Sequence, residues 1–155
     1  MTEYSIVPAY PEGLKELLAN LRQIDFDDLQ ASGGTIEDVE KGLFRVSRDT
    51  YLGLADDKVM CGFGTIPKTI IGGQAAIWLF GTPLIEQHVR AFWKFSKAYV
   101  AYERQRYEVL TGSVWEGNVK SIRWLKKLGF AFSDVPHKFN TGEGIYYSFR
   151  WEKTT

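Results

Sequence analysis

Cysteine is nearly absent from this 155-residue chain: Cys61 stands alone. One thiol excludes an internal disulfide and fits a reducing compartment. Within the strand-like Val59–Ile66 run it reads as a small buried apolar residue rather than a nucleophile. Histidine is almost as scarce, with only His88 and His137. Two imidazoles and a thiol this far apart give no metal-ligand spacing. Neither sign of charge is in surplus, 19 basic residues facing 19 acidic ones. No face concentrates the basic residues, so nucleic acid is not an expected partner. No apolar run approaches the roughly 20 residues of a membrane span. The N-terminus lacks a basic region followed by an apolar run, so no signal peptide is expected. G-x-S-x-G and any Ser-His-Asp pattern are missing. Gly62-Phe63-Gly64 lacks the third glycine and the strand-to-helix setting of a dinucleotide loop. Repeats and low-complexity stretches are absent too. These absences leave a soluble, cytoplasmic chain read as one domain over 1–155.

Hydrophobic residues make up 45% and aromatics 15%, with ten Phe and five Trp, enough for a large aromatic core. Glu3 to Ala9 alternates as a strand. Leu14, Leu17, Leu18 and Leu21 recur at helical spacing, and Asp25-Phe26-Asp27-Asp28 interrupts or restarts that helix. Thr35 with Asp38 resembles a capping box, ahead of a short helix on Val39, Leu43 and Val46. Thr50–Ala55 and Val59–Ile66 read as strands about an Asp56-Asp57-Lys58 turn, and Pro67 to Gly73 as another turn. Gln74 to Phe80 is nearly all apolar, as in a strand buried on both faces. Thr82-Pro83 opens a helical region whose stripe, Val89, Phe92, Phe95, Tyr99 and Tyr102, runs to about Arg106. Glu108–Trp115, Phe130–Asp134 and Gly144–Trp151 are further strands. The order implies a mixed α/β sheet with an antiparallel section and one right-handed parallel crossover, from Gln74–Phe80 to Glu108–Trp115.

The best-punctuated stretch is Val114 to Phe130. Asn118 is a good N-cap. Ile122, Leu125 and Leu128 share one face with Trp124 beside it. Lys126 and Lys127 occupy the last turn, where the dipole favours cations. Gly129 stands where a left-handed residue stops a helix.

The element order and this stretch resemble the GNAT superfamily of N-acetyltransferases, through Asn118, Ser121, Leu125, Gly129 and Phe130. More narrowly, W-x-G-N-x-x-x-I-R-x-L-K-x-x-G is similar to GNAT-like proteins of short-tailed bacteriophages, a group of internal virion and acyltransferase-like proteins. Trp78-Leu79-Phe80-Gly81-Thr82 fits that group as well. The resemblance implies a single-domain GNAT-like α/β fold, with a mixed sheet of about six or seven strands and four helices. Its two central parallel strands would splay, and acetyl-CoA, or another acyl-CoA, would lie in the V between them. Leu79, Phe80, Gly81 and Thr82 would flank the cofactor arm, with Asn118 and Ser121 at the splay. The pyrophosphate would sit at the next helix N-terminus, on Gln87, His88, Val89, Arg90 and Ala91.

The chain departs from the family at two places. The phosphate loop is Arg/Gln-x-x-Gly-x-Gly/Ala in the family and Glu86-Gln87-His88-Val89-Arg90-Ala91 here. Val89 replaces the first glycine, and the bland alternative makes it the first core residue of the long helix. Glu86, or Gln87 in another register, stands at the Arg/Gln position. Many members also carry a Tyr acid where this chain has Leu125, leaving Tyr146, Tyr147 or a water as donor. Glu116, beside Asn118, is the expected base, or else an exposed turn carboxylate. His88 titrates, caps a helix or meets phosphate, and His137 reads as a surface residue. Asp25, Asp27 and Asp28 either attract an amine or form an exposed helix face. The function implied is N-acyl transfer, in phage-infected host cytoplasm, to a small-molecule or protein amine. The alternative is a degenerate GNAT fold that binds a host enzyme or joins the virion.

Overall fold

The computed structural model describes residues 1–46, 49–68, 73–139 and 141–154, with the backbone alone for 43–46. The expected side-chain stripe at Leu43 and Val46 and most of the turn between Pro67 and Gly73 lie outside the described residues. In chain order the elements are β1 (Tyr4–Pro8), α1 (Pro11–Ala19), α2 (Gln23–Ala31), α3 (Ile36–Val46), β2 (Asp49–Ala55), β3 (Lys58–Pro67) and β4 (Gln74–Gly81). Then come α4 (Leu84–Gln87), α5 (Val89–Arg106), β5 (Val109–Trp115), α6 (Val119–Lys127), β6 (Ala131–Phe132) and β7 (Tyr146–Glu152).

Local chemistry sets several of these boundaries. Asp56 and Asp57 both adopt positive φ, 48° and 65°, the backbone of a primed hairpin turn between β2 and β3. Thr35 and Asp38 form the reciprocal capping box, each side chain accepting the other's N–H at 3.1 Å. Asn118 Oδ1 accepts the Ser121 N–H at 3.3 Å, capping α6. At its other end Gly129 has φ +96°. The Gly129 N–H donates to Lys126 O at 3.0 Å and the Phe130 N–H to Leu125 O at 3.1 Å. Those two bonds form a Schellman motif, closed by contact of Phe130 with Leu125 in the core.

The strands form one seven-stranded sheet in the order β1-β2-β3-β4-β5-β7-β6. Every neighbouring pair is antiparallel except β4 and β5. That pair is joined through α4 and α5, the expected crossover. α1 packs on one face, over Leu52, Leu54 and Val59. It comes so close that a Cβ on Gly62 would lie 2.5 Å from Leu17. On the other face α5 and α6 bury Val100, Leu125 and Leu128 against Leu110, Val114 and Phe149.

The structure has six helices among the described residues rather than four. The Leu-rich segment breaks at Asn20–Arg22 into α1 and α2, and a single-turn α4 precedes α5. β6 is also shorter than expected, because only Ala131 and Phe132 pair with β7. β4 is not buried on both faces: Ala76 through Phe80 are only half-buried. Their apolar character serves the lining of a cavity, described below. No described helix is long and apolar enough to cross a membrane.

Gly129→Ala places a Cβ at positive φ, and 3.0 Å from Arg104 Nη2. It is expected to lower the unfolding free energy by about 1–2 kcal/mol, measured by urea denaturation.

Candidate active site

The site arises where the parallel pair fails. β4 and β5 pair only over Gln74–Ala76 and Val109–Thr111, although both strands continue for several residues. Beyond that point they diverge, and the gap is bridged from α2. Asp25 Oδ2 accepts the Gly81 N–H of β4 at 2.8 Å. The Arg22 N–H donates to Gly81 O at 2.8 Å, so both backbone groups of Gly81 are satisfied from the start of α2. Arg22 also clamps Asp25 with two bonds, Nε at 2.8 Å and Nη2 at 3.1 Å. Across the gap, Asp28 Oδ2 accepts the Trp115 N–H of β5 at 3.3 Å. The i, i+3 spacing puts both carboxylates on one side of α2.

Backbone groups alternate in direction along a strand. The Thr82 N–H turns to Met60 O of β3, while the Gly81 N–H turns away to Asp25. Leu79 therefore turns its N–H and C=O into the gap. By the same alternation Ser113 of β5 does so from the other side, since the Trp115 N–H points to Asp28 and the Glu116 N–H to Ile145 O.

A cavity of about 200 Å³ occupies the gap and reaches both faces of the sheet. On the α5–α6 side Phe92, Phe95, Tyr99, Leu125 and Leu128 line it. From the α2 side come Asp25, Asp28, Trp78 and Ser113. Asn118, buried, lines it at the hinge between β5 and α6. Burial raises the Asp28 carboxyl above its ordinary value of 3.8. Hydrogen bonds from Trp115, Tyr146 and Asn118 offset part of this, and the charge of Asp25 pushes it further up.

The expected cofactor-binding residues fall into three groups. Leu79, Phe80, Asn118 and Ser121 line the cavity. Gly81 and Thr82 lie buried at the strand end; Thr82 Oγ1 donates to Val59 O and Met60 O at 3.0 and 3.1 Å, fixing that end to β3. Gln87 to Ala91 form the junction of α4 and α5, outside the cavity lining. Val89 is 60% exposed at the first position of α5, so it is not a core residue. His88 is held by a 2.7 Å bond between Nδ1 and the Tyr4 hydroxyl. Glu86 meets Lys120 at 3.5 Å on the surface.

Glu116 and Tyr146 are not among the residues brought to the cavity. Glu116 is exposed in the tight turn after β5, which the Asn118 N–H closes on Trp115 O at 2.9 Å, and it is not part of the cavity lining. Tyr146 is buried behind α2 and donates its hydroxyl hydrogen to the Asp28 carbonyl. Its ionisation is raised by burial and by the Asp28 charge, which makes it a poorer acid. Tyr147 is only half-buried and also outside the lining. Cys61 borders the cavity, but burial pushes its thiol up to about 12. Asp28 was within sequence reach only as one member of an acidic run; its i, i+3 relation to Asp25 was the available signal.

No protein-family model matches this sequence, and no curated protein matches it. Solved structures match over nearly its whole length. The spermidine N-acetyltransferase SpeG K23-Q34 chimera from Vibrio cholerae and hSSAT has a TM-score of 0.72 at 9% identity, covering 96% of this chain and 95% of that one. A GCN5-related N-acetyltransferase from Kribbella flavida has a TM-score of 0.70 at 14% identity, with 97% and 98% covered. YncA from Salmonella typhimurium, named as an acetyltransferase and solved with acetyl-CoA, has a TM-score of 0.65 at 12% identity, with 96% and 93% covered. At such identities the fold is what is shared: this chain has the GNAT fold.

Asp28 gives a stability signature. Its folded-state pKa lies above the unfolded value, so folding favours its protonated form. Its contribution is fully present below about 3.8 and is lost as pH rises through the higher folded value. Asp28→Asn, which keeps an acceptor for the Trp115 N–H, is expected to melt higher than wild type at pH 7. That advantage should shrink towards pH 4 in calorimetry.

Proposed function

We propose that this chain is an acyl-CoA-dependent N-acyltransferase that moves an acetyl group from acetyl-CoA to an amine. The observation that carries the reading is the gap between β4 and β5, held open by α2 with Asp28 at its rim. The residues present fit the cofactor. Leu79 offers a backbone donor and acceptor in the gap, which suits an arm made of amide groups. The cavity behind it is mostly apolar and walled on one side by α5 and α6. The N-terminus of the 18-residue α5, at Val89, Arg90 and Ala91, leaves N–H groups without intrahelical partners and favours an anion. Val89 does not block this site, because its side chain points to solvent.

Acetyl-CoA supplies an acetyl group activated as a thioester; the chain supplies position and proton handling. Asp28 is the proton acceptor on this reading. Its raised pKa makes it a stronger base than an ordinary aspartate, nearer the value that suits proton transfer at neutral pH. Once protonated it holds the proton that a departing sulfur needs, a role that Leu125 cannot fill. The amine comes from the open α2 face, between Trp78, Ser113 and the segment before β7. One neighbour named above is a spermidine N-acetyltransferase, which supports an amine acceptor here.

The W-x-G-N pattern supports a phage-encoded protein at work in host cytoplasm. A second reading, a GNAT fold that binds a partner without turnover, is favoured by one observation: apolar Leu125 lines the cavity where many GNAT members carry an acid.

Titration calorimetry with acetyl-CoA, paired with a thiol-release assay against an amine panel including spermidine, separates the readings. Transfer predicts binding with turnover, and the partner reading predicts at most binding. Asp28→Asn should keep acetyl-CoA binding and lose about 10²–10⁴-fold in turnover. The absence of any binding heat at millimolar acetyl-CoA contradicts the proposal.

A further inference from the structure

On the α2 face of the gap a hydroxyl meets an imidazole: Ser113 Oγ and His137 Nε2 lie 3.3 Å apart. Ser113 lines the cavity and its side chain is open to the acceptor side. His137 is held by more than its side chain. Its N–H donates to Tyr146 O at 2.9 Å, and its C=O accepts the Tyr146 N–H at 2.8 Å. Its ring packs edge-on against Phe139, with centroids 5.5 Å apart, and lies 6.2 Å from the Tyr146 ring. The same segment is tied to the end of α2, where the Gly144 N–H donates to Ala31 O at 2.9 Å and Thr141 Oγ1 donates to Ser32 O at 3.1 Å. The imidazole is therefore fixed against the acceptor side and only half-buried, in reach of solvent. Tyr146 is the titratable side chain packed on its ring, and that hydroxyl is already engaged with the Asp28 carbonyl.

Proton counting gives this pair a role, on the acetyl-transfer reading above. An alkylamine arrives at neutral pH as an ammonium with three N–H protons, and the product amide keeps one. Two protons must leave. The C–N bond forms as the C–S bond breaks, and the departing thiolate takes one of the two. The other must reach solvent before the nitrogen can attack. Asp28 holds only one proton at a time.

We propose that Ser113 and His137 form a proton relay that deprotonates the incoming ammonium. Ser113 Oγ takes a proton from the ammonium as its own passes to His137 Nε2. The hydroxyl is regenerated, and the imidazolium releases its proton to water. Asp28 then receives the second proton and returns it to sulfur. Ser113 touches substrate, and His137 acts through it.

Two amines of nearly the same size test the relay. At pH 7 methylamine is almost wholly an ammonium, whereas hydroxylamine is largely unprotonated and needs no first deprotonation. The ratio of kcat/KM for methylamine to that for hydroxylamine, at saturating acetyl-CoA, should fall about 100-fold in His137→Gln and likewise in Ser113→Ala. An unchanged ratio in either variant overturns the relay, as does a wild type that acetylates hydroxylamine but not methylamine. Because a ratio is read, partial loss of folded protein cancels. A second readout needs no cofactor. Nitrogen NMR of the free protein should show His137 as the Nδ1–H tautomer, with Nε2 accepting from Ser113; an Nε2–H ring overturns the proposal. Failure of the transfer reading itself looks different, because wild type would then acetylate neither amine.

Discussion

Two carboxylates on one side of α2 take the two backbone N–H groups at which β4 and β5 can no longer serve each other. The constraint behind this is general. A parallel pair that ends after three residues leaves polar backbone on both strands, and each such group left buried and unpaired costs about 1–3 kcal/mol. A sheet can close the gap, flood it with water or bring in other partners. This chain does the last. Asp25 with Arg22 imitates a neighbouring strand at Gly81, offering an acceptor and a donor to its N–H and C=O. Asp28 does half as much at Trp115. The strands are thus stable while apart, and the backbone between the two caps, at Leu79 and Ser113, faces the gap.

The two aspartates are not equivalent. Asp25 is clamped by a buried, two-bond contact with Arg22. Removing one partner of such a pair costs about 3–5 kcal/mol, because the other charge is left buried. Asp25 is accordingly part of the frame. Asp28 has no cation among its favourable partners, only N–H and hydroxyl donors, and its carboxyl titrates higher than usual. The same helix therefore supplies a strut and a more readily protonated carboxylate one turn apart. Asn118 joins them to the opposite wall, since it caps α6 and also contributes to the hydrogen bonding of Asp28.

What was legible in the sequence was local. Asn118 and Gly129 announce a helix by side-chain capping and positive φ. Thr35 with Asp38, and Asp56-Asp57, announce a cap and a turn in the same way, each within a few residues. The crossover followed from element order. The site was less legible, because its key contacts join residues 56 and 87 positions apart. Nothing near Asp25-Phe26-Asp27-Asp28 distinguishes carboxylates that cap distant strands from those of a solvated helix face. Glu116 is near Asn118 in the chain, yet it is exposed in a tight turn and outside the cavity lining. The apolar Gln74–Phe80 run looked like a fully buried strand, because cavity walls and cores use the same residues. Val89 is the converse: an apolar residue in a helical stripe that lies on the surface.

Amide hydrogen exchange, residue by residue, tests the central claim most directly. The Gly81 and Trp115 amides should be protected in the free protein by Asp25 and Asp28. The Leu79 and Ser113 amides should exchange fast, and Leu79 should gain protection when acetyl-CoA is added. If Leu79 is protected already without ligand, or stays unprotected with it, the gap is not the cofactor's seat and the account fails.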